Sequence, residues 1–202
     1  MPAELSNIGP HHAAILAWVA WAASWFLAAL WAKRTAKGAG FAAQLPYRIV
    51  TIFGAYLLFA LDVPRRYAEF SEGRLWTLNA DAEWALVGII VIGFLFAWWA
   101  RIYLGPLWSG FVMKKEGHYV VDTGPYAIVR HPIYTGILLS CFATAAQIGT
   151  SVAIFGAIIM TIGFWMKARL EERFLRQELG AEAYDSYRRR VPMLVPFGPK
   201  SA

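Results

Sequence analysis

The chain has 202 residues, 58% of them hydrophobic, a mean hydropathy of +0.45 and a formal charge of +6. This composition excludes an ordinary water-soluble domain, and the clustering of the positive charge points to anionic lipid rather than nucleic acid. The lone Cys141 lies in an apolar run and the four histidines lack metal-ligand spacing, so no intramolecular disulfide and no metal site is expected.

Residues 11–32 carry no charge and exceed the roughly 20 residues needed to cross a bilayer. Glu4 precedes them without a basic n-region, which argues against a cleaved signal peptide. Lys33, Arg34 and Lys37 stop this first helix, and Gly38 to Gly40 loosens the turn. The second apolar run is Tyr47 to Val63, with Arg48 and Asp62 near its ends; Arg65 to Glu83 forms a mixed-charge link. A third run, Ala85 to Tyr103, is uncharged until Arg101. Ten tryptophans and nine tyrosines supply rings for the bilayer interfaces.

Lys114 to Gly136 is the densest polar passage in the sequence and runs straight into an apolar segment. Pro132 suits a first helical position, where its missing N–H costs nothing. The free N–H groups of that first turn form an electropositive socket for a carboxylate or phosphate. Ile133 to Met166 has no charged side chain and is split by Gln147-Ile148-Gly149-Thr150-Ser151, which predicts two helices of about 15–17 residues joined by a tight turn. From Lys167 the chain is strongly charged, and Leu170, Phe174 and Leu179 mark the apolar stripe of an amphipathic helix that Gly180 ends. Ala181 to Arg190 makes a second short helix with Tyr184 and Tyr187 a turn apart, stopped by Val191-Pro192.

The expected fold is therefore an all-α integral membrane protein with about five transmembrane helices. The last two form a tight hairpin, and a cytoplasmic pocket lies between the 105–135 connector and the C-terminal helices. Residues 1–104 hold helices one to three and residues 105–202 the functional region. With five crossings, sixteen of the nineteen lysines and arginines fall on one side and Arg65, Arg66 and Arg74 on the other. The positive-inside rule then puts the N-terminus outside and the pocket in the cytoplasm.

Gly124-Pro125-Tyr126, Arg130-His131-Pro132, Tyr134 and Gly136 together resemble the signature of the isoprenylcysteine carboxyl methyltransferases, integral-membrane enzymes related to phospholipid methyltransferases. Glu171-Glu172, Gly180, Tyr184, Tyr187 and Val191-Pro192 resemble that family's second signature, so the likeness covers roughly residues 105–197. The resemblance implies methyl transfer from S-adenosylmethionine to a lipophilic acceptor, with a membrane lipid environment and no metal. It places cofactor contacts on His118, Tyr119, Val120, Val121, Tyr126, His131, Pro132, Ile133, Tyr134 and Glu171. The arginine that the family sets one turn before the glutamate, to meet the acceptor carboxylate, is here Lys167, with Arg169 two residues on. Lysine keeps the charge and loses the bidentate fork.

The residues themselves fit such chemistry. Transfer from a sulfonium is an in-line displacement in which the protein binds, aligns and excludes water. His131 and the N–H groups after it can hold the donor's carboxylate, while Glu171 or Glu172 can accept from its ammonium or ribose hydroxyls. Tyr126, Tyr134 and His118 offer rings and polar tips. The catalytic candidates are Lys167, Arg169 and Glu172, either cation being able to orient a carboxylate.

Each feature alone has a plainer explanation: Arg130 as a cation snorkelling at a helix end, Glu171-Glu172 as a solvated face, and Lys114-Lys115 and Arg188-Arg189-Arg190 as lipid-headgroup contacts. The isoprenylcysteine carboxylate is the expected acceptor; phosphatidylethanolamine or a small thiol are alternatives within the class. A non-catalytic haem or quinone carrier, or a scaffold, is the reading from another class. Haem is disfavoured because His11-His12 and His118/His131 fall on opposite sides of the expected bilayer.

Overall fold

The computed structural model describes residues 8–29, 35–60, 73–115 and 119–200. Helix α1 is Pro10–Ala29, α2 is Phe41–Ala55 continued by a π-helical segment Tyr56–Ala60, and α3 is Ala80–Leu104. Helix α4 is Pro132–Ile148, α5 is Ser151–Leu179 and α6 is Ala181–Arg190. Four of these segments are long and apolar enough to cross a membrane, and α4 is a shorter apolar helix. The chain is an integral membrane protein.

Two helix starts differ from the apolar runs because polar residues also fold into them. Helix α3 begins five residues before Ala85: the Asn79 side chain accepts from the Ala82 N–H at 2.8 Å, and Asp81 and Glu83 sit at the positive end of the helix dipole. Helix α2 begins six residues before Tyr47 and carries Pro46 inside it, past the first turn.

Helix α4 ends at Gly149, whose φ of 72° is the left-handed cap conformation, and its N–H bonds the Ala145 carbonyl at 2.9 Å. Thr150 then caps α5 through its hydroxyl on the Ala153 N–H at 3.2 Å. Only these two residues separate the helices. The separate amphipathic helix expected from Lys167 is instead the last turns of α5. No glycine or proline interrupts Phe164 to Leu179, so adding charge changes which solvent the helix meets but does not break it.

Helix α3 packs on α4, and α2 on α5, at close approach. A Cβ on Gly136 would collide with the Gly93 carbonyl, and one on Gly54 with the Met160 backbone. Small residues at such crossings let apolar helices gain dispersion contacts that lipid alone does not supply. Helix α1 lies against α3 through rings: Trp21 stacks on Phe94, and Trp25 meets Trp98 and Trp108 edge-on.

Two contacts join the connections between helices. Strand β1 (Thr35–Gly38), before α2, pairs antiparallel with strand β2 (Met113–Lys115), after α3. Among the described residues this ribbon is the one departure from an all-helical chain, and it was not expected. On the other connections, Arg74 bridges Thr150 and the Leu75 N–H bonds the Gly149 carbonyl at 2.7 Å. A backbone pair needs its partners within hydrogen-bond reach, so the α1–α2 and α3–α4 connections share one end of the bundle. The α2–α3 and α4–α5 connections share the other.

Candidate active site

A cavity of about 340 Å³ opens where residues 107–113 and 119–121, the start of α4, the second half of α5 and α6 converge. That is within the usual range for small-molecule sites. The start of α4 supplies its most reactive surface. His131 stands at the N-cap but makes no capping bond; its Nε2 lies 3.2 Å from Glu172 Oε1. His131 therefore leaves the first-turn N–H groups without an N-cap side chain, and Pro132, Ile133 and Tyr134 of that turn line this end of the cavity.

Below the socket lies a buried ion cluster. Arg130 Nε donates to Glu172 Oε1 at 2.7 Å, and its Nη1 donates to the Arg188 and Val191 carbonyls at 2.9 and 2.5 Å. Arg188 Nε approaches Glu172 Oε2 at 3.3 Å. The Arg130 and Glu172 side chains are only 1% and 5% exposed. The chain after α6 is tied to the same place, with the Arg130 and His131 N–H groups bonding the Pro192 and Met193 carbonyls at 2.8 and 3.1 Å. Arg130 thus anchors the C-terminal segment rather than snorkelling.

Glu171 and Glu172 are neighbours on α5 with different surroundings, because adjacent helical residues point about 100° apart. Glu171 faces the cavity and accepts from the Tyr134 hydroxyl at 2.6 Å. The Tyr134 ring stacks on His131, with centroids 5.2 Å apart and planes at 4°. Lys167, one turn earlier on the Glu171 face, also lines the cavity. Its ammonium donates to the Gly110 carbonyl at 2.9 Å and stands 5.0 and 5.7 Å from the Tyr134 and Tyr47 ring centroids. Arg169 points outward and is exposed, its guanidinium 5.4 Å from the Trp165 ring.

The cavity brings together Tyr119, Val120, Val121, Tyr126, His131, Pro132, Ile133, Tyr134, Lys167 and Glu171. It leaves out Arg169, which faces away, and Glu172, which is held in the ion cluster behind His131. His118 lies outside the described residues. Reading α5 as one helix through residue 171 separates these roles in advance, since Lys167 and Glu171 are then four apart and Arg169 falls on another face.

Tyr184 and Tyr187 of α6 close the cavity, and the Tyr187 hydroxyl donates to the Tyr126 carbonyl at 2.8 Å. Burial pushes the Tyr126 and Tyr184 hydroxyls well above the ordinary tyrosine range, with Glu171 raising Tyr126 further and Glu172 and Glu171 raising Tyr184. These groups stay neutral at physiological pH and can donate. The apolar end of the cavity is lined by Trp25, Phe26, Leu104, Leu107 and Trp108, and Phe164 lies against the Tyr134 ring at 5.1 Å. Phe26 is also exposed on the outer surface of the bundle, so this end borders the lipid-facing side. Among the described residues no group of three His, Cys, Asp or Glu side chains is placed to hold a metal.

The model of the isoprenylcysteine carboxyl methyltransferase family matches residues 86–177. A protein named methanethiol S-methyltransferase 2 from Bradyrhizobium diazoefficiens is 35% identical over 134 residues, covering 60% of this chain and 49% of its own. Protein-S-isoprenylcysteine O-methyltransferase B of Arabidopsis thaliana is 34% identical over 87 residues, covering 43% and 44%. Protein-S-isoprenylcysteine O-methyltransferase of Schizosaccharomyces pombe is 28% identical over 116 residues, covering 56% and 49%. The chain spans about half the length of these curated relatives. Residues 86–177 are thus similar to the isoprenylcysteine carboxyl methyltransferase family.

Proposed function

We propose that the chain is a membrane-embedded methyltransferase that transfers the methyl group of S-adenosylmethionine to a lipid-like acceptor, with the carboxylate of an isoprenylcysteine as the acceptor. One observation carries the proposal: an uncapped helix start, a carboxylate and a cation line a single cavity whose other end is apolar. The donor has matching parts, namely a carboxylate, an ammonium with ribose hydroxyls, and an aromatic base.

When bound, that cofactor supplies an electrophilic methyl group on a sulfonium. The N–H groups of Ile133 and Tyr134, with His131, hold the donor's carboxylate. Glu171 accepts from its ammonium or ribose hydroxyls, and Tyr119, Val120, Val121 and Tyr126 flank the base. Lys167 orients the anionic end of the acceptor while the wall from Trp25 to Trp108 takes its apolar body. Tyr184 and Tyr187 exclude water from the polar end. Glu172 acts through His131. Residues 105–202 form the catalytic region and residues 1–104 its membrane scaffold.

The two ends joined by the ribbon and by the Arg74–Thr150 bridge support five crossings, with α4 the shortest. The charge asymmetry then puts the cavity in the cytoplasm.

A small thiol is the second reading, favoured by the relative named methanethiol S-methyltransferase 2, which covers more of this chain than the isoprenylcysteine enzymes do. Lys167 suits it by stabilising a thiolate. Incubation of the purified chain with labelled S-adenosylmethionine and either a farnesylcysteine analogue, phosphatidylethanolamine or methanethiol separates the readings. Label on farnesylcysteine supports the first and label on methanethiol alone the second. Label on none of the three refutes both.

A further inference from the structure

Arg101 lies in the last turn of α3, is wholly buried, and belongs to neither sequence signature. Its Nη2 donates to the Ala28 carbonyl at 2.6 Å and its Nη1 to the Gly105 carbonyl at 2.7 Å. Gly105 is the C-cap of α3, where carbonyls are left over by the helix and the dipole is negative, and Ala28 lies in the last described turn of α1. One guanidinium thus ties α1 to the end of α3. The same guanidinium lies 4.4 Å from the Trp108 ring centroid, and Trp108 meets Trp25 edge-on at 5.5 Å. Trp25 and Trp108 are thus neighbouring parts of one wall at the apolar end of the cavity. Elsewhere α1 is held by its rings against Phe94 and Trp98 and by the Trp18 Nε1 bond to the Thr144 hydroxyl at 3.0 Å.

We propose that Arg101 is a positioning residue that sets the width of the apolar end, and thereby which acceptor chain lengths fit. It touches no reacting atom. By tying α1 to the 105–108 turn and stacking on Trp108, it holds the Trp25–Trp108 pair in place as one wall of that end. A lysine keeps the charge but cannot reach both carbonyls or stack as a plane, so it restores only part of the clamp. This rests on the proposed acceptor chain lying against that wall.

Calorimetry on the full chain in detergent tests the idea. The probes are S-methyl-, S-geranyl- and S-farnesyl-N-acetylcysteine for the apolar end and S-adenosylhomocysteine for the polar end. The native chain is expected to prefer farnesyl over methyl. Arg101→Met should shrink that preference at least about tenfold, the effect of losing roughly one charge-assisted hydrogen bond. It should leave S-adenosylhomocysteine affinity within about twofold, Arg101→Lys should fall between, and Trp108→Leu should move in the same direction. A merely structural role would weaken all ligands together. An unchanged preference, a uniform loss across ligands, or Arg101→Lys no better than Arg101→Met would overturn the proposal. So would a native chain that binds all three acceptors alike, even if it methylates methanethiol. Failure of S-adenosylhomocysteine to bind, with chain preference still responding to Arg101, would remove the proposed activity and leave the positioning role standing. If Arg101→Met does not fold, Trp108→Leu decides: a retained preference refutes the wall and a lost one supports it.

Discussion

Replacing Glu172 by leucine takes the carboxylate away from a guanidinium of which 1% is exposed. Glu172 contacts Arg130 through both oxygens, at 2.7 and 3.4 Å, and also meets His131 and Arg188. So little of the pair reaches solvent that surface screening offers no discount. Breaking a buried pair from one side typically costs about 3–5 kcal/mol, whereas replacing both partners by apolar groups costs far less. For a chain of this size each kcal/mol moves the melting temperature by about 2–4 °C, so Glu172→Leu should lower it by about 6–20 °C. Arg130→Met combined with Glu172→Leu should recover part of that loss. The recovery is incomplete because Arg130 also serves the Arg188 and Val191 carbonyls. Thermal unfolding in one detergent, followed by circular dichroism, measures all three proteins. A fall of under about 3 °C for Glu172→Leu, or a double variant weaker than the single, would show that the cluster does not anchor the C-terminal segment.

Glu171→Gln should weaken S-adenosylhomocysteine binding by about ten- to a hundredfold, the typical worth of a hydrogen bond to a charged group, as read by calorimetry. Lys167→Met should slow methyl transfer to an anionic acceptor while leaving donor affinity nearly intact, and Arg169→Met, whose side chain rests on Trp165, should change neither; equal effects would undo the assignment. Tyr126, Tyr184 and Tyr187 all have folded-state pKa values raised by burial above the unfolded value, so the folded chain retains protons that the unfolded chain loses. Stability is then fully present below about pH 10 and declines as the pH rises beyond it, which melting curves from pH 8 to 11 will show. Reporter fusions at residues 75 and 202 should lie on opposite sides of the membrane, the second cytoplasmic; a shared side contradicts five crossings.

Much of the fold is legible because the bilayer leaves few choices: apolar runs such as 11–32 and 85–103 must be helices when their backbone cannot reach water. What escapes is whatever depends on partners distant in sequence. The ribbon is four residues of TAKG against three of MKK, too short and too polar to show an alternating pattern. Arg130 reads equally as a snorkelling cation until Glu172, 42 residues away, is seen beside it. The acidic pair looks like one solvated feature, yet the helix turns one carboxylate to the cavity and buries the other. The Lys167–Glu171 pairing was within reach of the sequence, since a four-residue spacing on an unbroken helix puts both on one face.

Helix α5 runs unbroken for 29 residues, about 43 Å at the standard rise, against a hydrocarbon layer of about 30 Å. Counting from Ser151, the position about 30 Å along the axis is Glu171. The helix is therefore a ruler: with Ser151 at one face of the hydrocarbon, its first two-thirds match the membrane, Glu171 falls near the far boundary and Lys167 one turn, about 6 Å, inside it. A molecule with an apolar tail and a charged head brings that head to this depth by its own partitioning. It can meet the site by lateral diffusion in two dimensions, without first being lifted out of the bilayer.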